Sequence, residues 1–132
     1  MKKILCLLVC AVSWLSAEVK EVSLESGERK VMFDLLRPEV AKQAGRKPSE
    51  VKFEGSLKQG GNWAFFAGGS RDADSQPLVL KPAGNDDTCA LFIHTYRGWM
   101  LVDWSAGHSD AFYLVWAKTY GVTPEVLGLK AD

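Results

Sequence analysis

The spacing of hydrophobic residues first indicates a helix. Between Ser26 and Gly45 the apolar positions recur three or four residues apart, which is typical of one helix face. They are Val31, Met32, Leu35, Leu36 and Val40. Ser26 is suited to cap the first turn and Gly45 to end the last one. Because proline lacks an amide donor, Pro38 predicts a kink or a fresh start within this amphipathic helix.

The spacing then becomes alternating, which indicates strands. From residue 51 to 58 the chain alternates as in a half-buried strand, and the inward set is Val51, Phe53, Gly55 and Leu57. Adjacent glycines within residues 59–62 predict a hairpin turn, because glycine readily adopts the positive φ that such turns require. Residues 63–67 then return as a second strand that is apolar on both faces.

A long loop and a second hairpin follow. Residues 68–87 are rich in Gly, Ser, Asp and Pro and predict a loop with a short strand at 78–80. Residues 88–96 and 99–105 predict two strands that are joined through the pair 97–98.

The chain ends in a predicted helical segment. Ser109 or Asp110 is suited to cap a helix that Gly121 ends. One stripe of this helix holds Phe112, Val115, Trp116 and Tyr120. Thr123 and Pro124 match the cap and the first position of a further short turn.

Helix, hairpin, loop, hairpin and helix follow one another in the order of an α+β fold. We expect a curved antiparallel sheet of about four to five strands, packed with the N-terminal and the C-terminal helix. The element order is similar to that of a cystatin-like or NTF2-like roll, a likeness of order alone. Because strands 63–67 and 99–104 are apolar on both faces, either both helices cover the sheet or one face forms a concave binding site. We favour the first arrangement.

Length and composition limit the class of protein. With 132 residues, 47% of them hydrophobic and 24% charged, the chain fits one globular domain and not a disordered or fibrous protein. The 16 basic residues balance 16 acidic ones, so the strongly basic surface of a nucleic-acid-binding protein is not expected.

The first residues indicate export. Two lysines precede an apolar run over residues 4–12, and small residues end at Ala17, before a charged stretch. This pattern is typical of a secretory signal peptide. The run is too short to span a bilayer as a helix, which needs about 20 residues. We therefore expect residues 1–17 to be a signal peptide and residues 18–132 to be a single periplasmic or extracellular domain without a membrane span.

The cysteines bear on two further possibilities, a lipoprotein anchor and a disulfide. Cys10 follows an apolar run, as in a lipoprotein, but Val9 stands where a lipobox has Gly, Ala or Ser. After removal of residues 1–17 only Cys89 remains, which excludes an intrachain disulfide. Its apolar neighbours predict that Cys89 is a small buried hydrophobe.

Several short motifs carry a resemblance to other proteins. They are Gly-Asn-Trp-Ala-Phe at 61–65, Cys-Ala-Leu-Phe at 89–92, Arg-Gly-Trp at 97–99, Gly107, Asp110 and the stretch from Trp116 through Tyr120 and Gly121. In these motifs the chain resembles a set of uncharacterised small exported bacterial proteins, over roughly residues 29–128. The motifs are structural in type, tryptophans on strands and glycines at turns, so the resemblance implies no activity.

The scarce histidines provide the catalytic candidates. If residues 97–98 form a two-residue turn, His94 faces Leu101 and lies diagonally across from Asp103 on the same face of the sheet. A register shift of one residue would place them on opposite faces. His94 and Asp103 are the catalytic candidates, and the simpler interpretation is a histidine at the sheet margin bound by a neighbour.

Other reactive centres are not expected. The chain has no Gly-x-Ser-x-Gly motif, and the consecutive His108, Ser109 and Asp110 cannot face one another as a triad does. Two histidines and one remaining cysteine do not complete a four-ligand zinc site. The aspartates within 72–87 lack the spacing of a calcium loop and are expected to be solvated. We expect neither a metal nor a cofactor.

Three functions remain open. The first, which we favour, is a non-catalytic exported module that binds a protein or envelope partner through an apolar patch. The second is a carrier that holds a small apolar ligand in a pocket of the roll. The third is a hydrolase or lyase in which His94 and Asp103 meet inside that pocket. The candidate residues for binding a partner or a ligand are Trp63, Phe65, Tyr96 and Trp99.

Overall fold

The computed structural model describes residues 18–23, 25–108 and 112–129. Within them, five strands form one antiparallel sheet in chain order, and the sheet is not closed. The strands are β1 (Lys20–Glu21), β2 (Lys52–Gly60), β3 (Trp63–Arg71), β4 (Asp87–Thr95) and β5 (Gly98–Ala106). Helix α1 (Gly27–Ala44) precedes β2, and helix α2 (Trp116–Tyr120) follows β5. The predicted α+β class, with one N-terminal and one C-terminal helix, is confirmed. The predicted signal peptide lies outside the described residues.

Helix α1 begins and ends where the sequence predicts. The Ser26 hydroxyl accepts a hydrogen bond from a first-turn amide at 3.1 Å, and Gly45 ends the helix with a φ of 68°. The helix continues through Pro38 without the predicted fresh start. Leu36 and Val40, on either side of the proline, are fully buried, and their burial offsets the missing hydrogen bond.

The buried face of α1 differs from the predicted stripe. Val31 is 49% exposed and Leu35 is 36% exposed. The buried positions are Arg29, Met32, Phe33, Leu36, Val40 and Ala41. Arg29 can be buried because its guanidinium lies 4.7 Å from the centroid of the Phe33 ring and donates to the Gly55 carbonyl oxygen at 3.2 Å.

Each face of the sheet contacts one helical segment. Side chains alternate between the faces along a strand, and two separate buried clusters result. On one face, the α1 face, the cluster includes Met32, Phe33, Leu57, Phe66 and Phe92. On the other, the C-terminal face, residues 112–129 contribute to a cluster that includes Phe65, Leu91, Trp116, Val126 and Leu127.

The C-terminal segment consists of short turns around α2 and is not one long helix. A 3-10 turn at Phe112–Val115 leads into α2, and a second one spans Pro124–Leu127. Gly121 ends α2 with a φ of 72°, as predicted. The predicted cap residues, Ser109 and Asp110, lie outside the described residues.

The predicted stripe of this segment is only partly buried. Trp116 is 2% exposed and packs in the cluster of the C-terminal face, whereas Val115 is 59% exposed. A 3-10 helix has three residues per turn and an α-helix has 3.6, so the Val115 side chain points in a different direction from the one that an α-helix would give it. Among the described residues, no helix combines the length and the hydropathy that a membrane crossing requires.

The register of the β4–β5 hairpin differs from the expected one. Thr95 pairs with Gly98, so Tyr96 and Arg97 form the turn, and not the pair 97–98. Gly98 follows the turn with a φ of 100°, which favours glycine. The Thr95 hydroxyl stabilises the turn by accepting a hydrogen bond from the Arg97 amide at 3.1 Å.

A β-bulge interrupts the same pair of strands. Leu91 pairs with Asp103 but Phe92 pairs with Leu101, so Val102 is an extra residue in β5. A bulge of this kind lets two consecutive side chains point toward one face. Val102 packs against the cluster of the C-terminal face, and Asp103 pairs with Leu91 on that same face.

The connection between β3 and β4 closes the opposite end of the sheet. The predicted short strand at 78–80 is replaced by an isolated bridge between Leu80 and Asn85. Leu78 and Leu80 are 5% and 4% exposed and pack in the cluster of the α1 face. We call this end the loop end. The end that carries the turns of both hairpins is the hairpin end.

Candidate functional site

The two catalytic candidates lie on opposite faces of the sheet. His94 pairs with Trp99 on the α1 face, and the centroids of their rings are 4.9 Å apart. Asp103 pairs with Leu91 on the C-terminal face. The expected diagonal contact required another hairpin register and a strand without a bulge, so the structure does not bring the two side chains together. His108 lies at the loop end, far along the strand from His94.

Asp103 instead connects β5 to α2. The Tyr120 hydroxyl donates to Asp103 Oδ2 at 2.7 Å, and the Trp104 amide donates to Asp103 Oδ1 at 2.8 Å. The hydrogen bond to Asp103 raises the pKa of Tyr120 above its ordinary value, because the carboxylate can accept only while the phenol keeps its proton. Sequence reasoning placed Tyr120 on an apolar stripe and missed this contact.

The Asp103–Tyr120 contact predicts an alkaline weakening of the fold. Because the pKa of Tyr120 is raised in the folded state, the hydrogen bond from its hydroxyl to Asp103 stabilises the fold fully below the ordinary tyrosine pKa of about 10. The contribution is lost as the pH rises through the raised value. We expect Tyr120→Phe to be less stable than the wild type at pH 8 and this deficit to be smaller at pH 11, measured as urea midpoints. Tyr96→Phe, at an exposed position, is the control. A wild-type advantage over Tyr120→Phe that is equal at both pH values would contradict the prediction.

Cys89 lies where burial and a nearby negative charge disfavour its thiolate. It pairs with Ser105 and packs half-buried against the cluster of the C-terminal face. Burial, reinforced by the negative charge of Asp103, raises the pKa of Cys89 from 9.0 to about 12. The thiol therefore stays protonated near neutral pH and lacks the thiolate that nucleophilic attack requires.

The raised pKa of Cys89 predicts slow alkylation. At pH 8 the folded protein should react with iodoacetamide at Cys89 about a thousandfold more slowly than the urea-unfolded protein, because the thiolate fraction falls tenfold per pKa unit. Peptide mass spectrometry over a time course measures the modification at this position. Equal rates in the folded and unfolded states would show that the thiol is neither buried nor held neutral.

The four aromatic candidates do not line one pocket. Phe65 is 5% exposed in the cluster of the C-terminal face, and Trp99 is 8% exposed in the cluster of the α1 face. Trp63 is half-buried, and Tyr96 is 92% exposed. Only Trp63 and Tyr96 therefore offer surface to a partner, and both lie at the hairpin end.

An apolar row extends across the hairpin end on the C-terminal face. Trp63 pairs with Ile93, and Ile93 pairs with Met100, so the three side chains lie side by side on β3, β4 and β5. Met100 is 50% exposed, while Trp63 and Ile93 are half-buried. The sequence signal for this row was present in the two apolar strands, but only the register decides which residues align.

Charges of both signs lie at the hairpin end of the sheet. Residues 55–70 and 88–102, which run along most of β2, β3 and β4, contain no Asp or Glu. At the hairpin end, however, Lys58 pairs with Glu21 of β1, and Glu18 and Lys20 line the same hollow. At the loop end, residues 72–87 contain four aspartates and one lysine. The exposed Arg97 guanidinium lies 5.4 Å from the centroid of the Tyr96 ring and donates to its hydroxyl at 3.1 Å. The hairpin end thus exposes an aromatic side chain together with charged groups of both signs.

One hollow lies beside β1 at this end of the sheet, and the described part of the chain groups no metal ligands there. Within 18–23, 25–108 and 112–129, no three His, Cys, Asp or Glu side chains are grouped so that they could hold a metal ion. A hollow beside β1, lined by Glu18, Lys20, Gln59, Gly60 and Gly61, has a volume of about 320 Å³ and opens to solvent. None of the four aromatic candidates lines it.

Comparisons with known proteins add no functional assignment. No family model, curated protein or solved structure matches the chain. Function must therefore be argued from the geometry of the hairpin end.

Proposed function

We propose that the protein is a non-catalytic exported module that binds an envelope component through its hairpin end. The observation that carries this proposal is the exposed apolar surface there. Tyr96 is 92% exposed, Met100 is 50% exposed, and Met100 continues the row of Trp63 and Ile93. An exposed group of large apolar side chains next to a well-buried core is typical of an interaction surface. Export rests on the sequence pattern of residues 1–17.

The positions of the reactive groups support a binding role over a catalytic one. His94 and Asp103 lie on opposite faces, and Asp103 is already bound by Tyr120. Burial keeps the Cys89 thiol protonated by raising its pKa to about 12. A hydrolase or lyase needs such groups to converge within hydrogen-bond reach.

The carrier hypothesis has less support. It requires apolar side chains to surround a ligand on several sides, whereas Phe65 and Trp99 belong to clusters on different faces. The curved roll on which that hypothesis depends remains part of our proposal for the fold. It is supported by the single helix α1 contacting strands on one face of an open sheet.

A site-specific photo-crosslinker tests the binding surface. We would introduce benzoylphenylalanine at Tyr96 in cells that produce the full chain, and at Val79, which is 62% exposed at the loop end, as the matched control. We expect adducts with one defined envelope component from position 96 and not from position 79. Met100→Ser should reduce the adducts from position 96. Equal labelling from both positions, or none from position 96, would overturn the proposal.

A further inference from the structure

We propose that β5 pairs with the β5 strand of a second copy of this chain, so that two sheets join edge to edge in an antiparallel dimer centred on Met100. The inference goes beyond the proposed function and does not depend on it. Four features carry it: the open main-chain groups of β5, the contrast with the opposite edge of the sheet, the apolar row that ends at Met100, and the charges on either side of that residue.

The hydrogen bonds of β4 show which groups of β5 face outward. The His94 amide donates to the Asn62 carbonyl oxygen at 2.7 Å, on the β3 side of β4. Successive residues of a strand direct their main-chain groups to opposite sides, so the residues before and after His94 face β5. Their partners there are Met100 and Gly98. These two residues of β5 therefore direct their main-chain groups toward β4.

The residues between and after these two are open at the outer edge of the sheet. The amide and carbonyl groups of Trp99 and Leu101 point away from β4, and β5 is the last strand. Among the residues that the structure describes, none forms a hydrogen bond to these outer groups. Farther along β5, by contrast, the Trp104 amide is bound by a neighbouring carboxylate, and the Ala106 carbonyl oxygen accepts from Gln43 Nε2 at 2.8 Å. The open part of the edge is therefore residues 99–101.

The opposite edge of the sheet is blocked over its central part. On β2 the Gly55 carbonyl oxygen accepts from the Arg29 guanidinium at 3.2 Å. The Leu57 carbonyl oxygen accepts from the Val22 amide at 2.8 Å, and β1 pairs with the next two residues. Strand edges are commonly blocked in such ways, because an open edge pairs readily with another strand. Residues 99–101 lack this block and present the donors and acceptors that an added strand requires.

A twofold axis through Met100 uses both open residues at once. In this register Trp99 of each copy lies opposite Leu101 of the other, and the two pairs can form four main-chain hydrogen bonds. A register centred on Trp99 or on Leu101 would pair that residue with its own equivalent and the other open residue with one in the turn or the bulge. The register centred on Met100 is therefore the one that satisfies every open group.

The same register joins the apolar rows of the two copies. In one chain, Trp63, Ile93 and Met100 lie side by side, and the row ends at Met100 on the outer strand. Met100 is 50% exposed in the single chain. With Met100 opposite its equivalent, the two rows become one row of six side chains across six strands. Pairing therefore removes apolar surface of both methionines from water, which favours association.

The charges around Met100 suit pairing of this strand with itself. Residues 96–106 contain one cation, Arg97, and one anion, Asp103, each three positions from Met100. In an antiparallel pair centred on Met100, Arg97 of each copy lies alongside Asp103 of the other. Opposite charges on paired strands stabilise the pairing, whereas like charges would oppose it. The strand is thus complementary to itself in charge as well as in hydrogen bonding.

Sedimentation equilibrium tests the inference on the full chain as cells produce it, with its N-terminus determined by mass spectrometry. We expect the wild type to form dimers reversibly as its concentration is raised. Met100→Lys and Met100→Glu should each weaken dimerisation at least about tenfold, because each places two like charges opposite one another. An equimolar mixture of the two variants should associate at least about tenfold more tightly than either alone. Circular dichroism verifies that both variants are folded.

A disulfide tests the position of the twofold axis. Opposite residues between two hydrogen-bonded pairs have Cα atoms about 4.5 Å apart, which a disulfide can bridge. Oxidation of Met100→Cys with copper phenanthroline should therefore crosslink two copies. Tyr96→Cys is the control: position 96 is 92% exposed, but its two equivalents would lie about 26 Å apart along the strands. It should crosslink at least about tenfold more slowly. Both variants retain the buried Cys89, so it does not account for a difference between them.

A change of charge tests the contact between Arg97 and Asp103. Arg97→Glu should weaken dimerisation about tenfold, because two attractive pairs become repulsive. Lys81→Glu makes the same change of charge at an exposed position of the loop end and should dimerise as the wild type does. Equal weakening by both variants would show that net charge matters and not the pairing of these two residues.

Several results would overturn the inference. They are a wild type that stays monomeric at the highest soluble concentration, a dimer that Met100→Lys leaves intact, and equal crosslinking of Met100→Cys and Tyr96→Cys. A photo-crosslinker at Met100 that captures another protein in place of a second copy would show that the edge takes a foreign strand, which also contradicts the dimer. The proposed function is judged separately, because adducts between copies contain peptides of this chain alone, whereas adducts with an envelope component contain a second molecule.

Discussion

Replacing Phe66 by alanine is expected to lower the unfolding free energy by about 3–5 kcal/mol, the usual cost of removing a buried phenylalanine side chain. Phe66 is fully buried at the centre of β3. Its ring centroid lies 5.0 Å from that of Phe33 on α1 and 5.7 Å from that of Phe53 on β2. The variant would therefore leave a cavity between the helix and the sheet that neighbouring rigid rings cannot fill. Urea unfolding followed by tryptophan fluorescence measures the loss.

The control for this prediction is Leu114→Ala, at a position that is 53% exposed. Its unfolding free energy should stay within about 0.5 kcal/mol of the wild-type value. The urea midpoint of Phe66→Ala should fall with an unchanged slope, since the surface exposed on unfolding hardly changes. Similar midpoints for the two variants would mean that α1 does not pack on the sheet through this aromatic group.

The elements that depend on local signals could be predicted from the sequence. Ser26 and Gly45 delimit α1 because a hydroxyl cap and a glycine with positive φ are local requirements of helix ends. The two hairpins follow from alternation and from glycines near the turns. These features depend on residues close in sequence, so a single sequence suffices to locate them.

The buried face of α1 could not be predicted, because two overlapping sets of residues satisfy helical spacing. The set with Val31 and Leu35 is more apolar, yet the buried set includes Arg29 and Phe33. The buried set is the one that contacts the sheet: Phe33 packs on Phe66, and Arg29 donates to the Gly55 carbonyl oxygen, 26 positions away in sequence. Such a contact exists only once the sheet has formed.

The candidate site was predictable in its residue types and not in its arrangement. From the sequence, Gly98 fits either inside the β4–β5 turn or directly after it. Nothing in the residues around Val102 indicates the bulge that this extra residue forms. Both features change which face each side chain occupies, and so they separate His94 from Asp103. The row of Trp63, Ile93 and Met100 likewise depends on the register, because only the pairing aligns residues from three strands.

Replacing Gly68 by alanine should be about as damaging as a core truncation, although it adds only one methyl group. Gly68 pairs with Gly55, where β2 and β3 approach closely. A Cβ at Gly68 would lie 2.1 Å from the Glu54 carbonyl oxygen and 2.7 Å from the Gly55 Cα. Both neighbours are backbone atoms of a paired strand, so they cannot rotate away as a side chain could. We expect a loss of about 3 kcal/mol, at the upper end of what overpacking costs.

Gly27→Ala separates this steric effect from a general cost of losing glycine. At Gly27 nothing lies within 4 Å of an added Cβ, and the residue opens α1. That variant should be as stable as the wild type or up to about 1 kcal/mol more stable, because alanine loses less conformational freedom in a helix. Since relief of the clash requires β2 and β3 to move apart, Gly68→Ala should also speed hydrogen exchange at amides of residues 52–60. Normal exchange there, with a urea midpoint equal to that of Gly27→Ala, would contradict the close approach of the two strands.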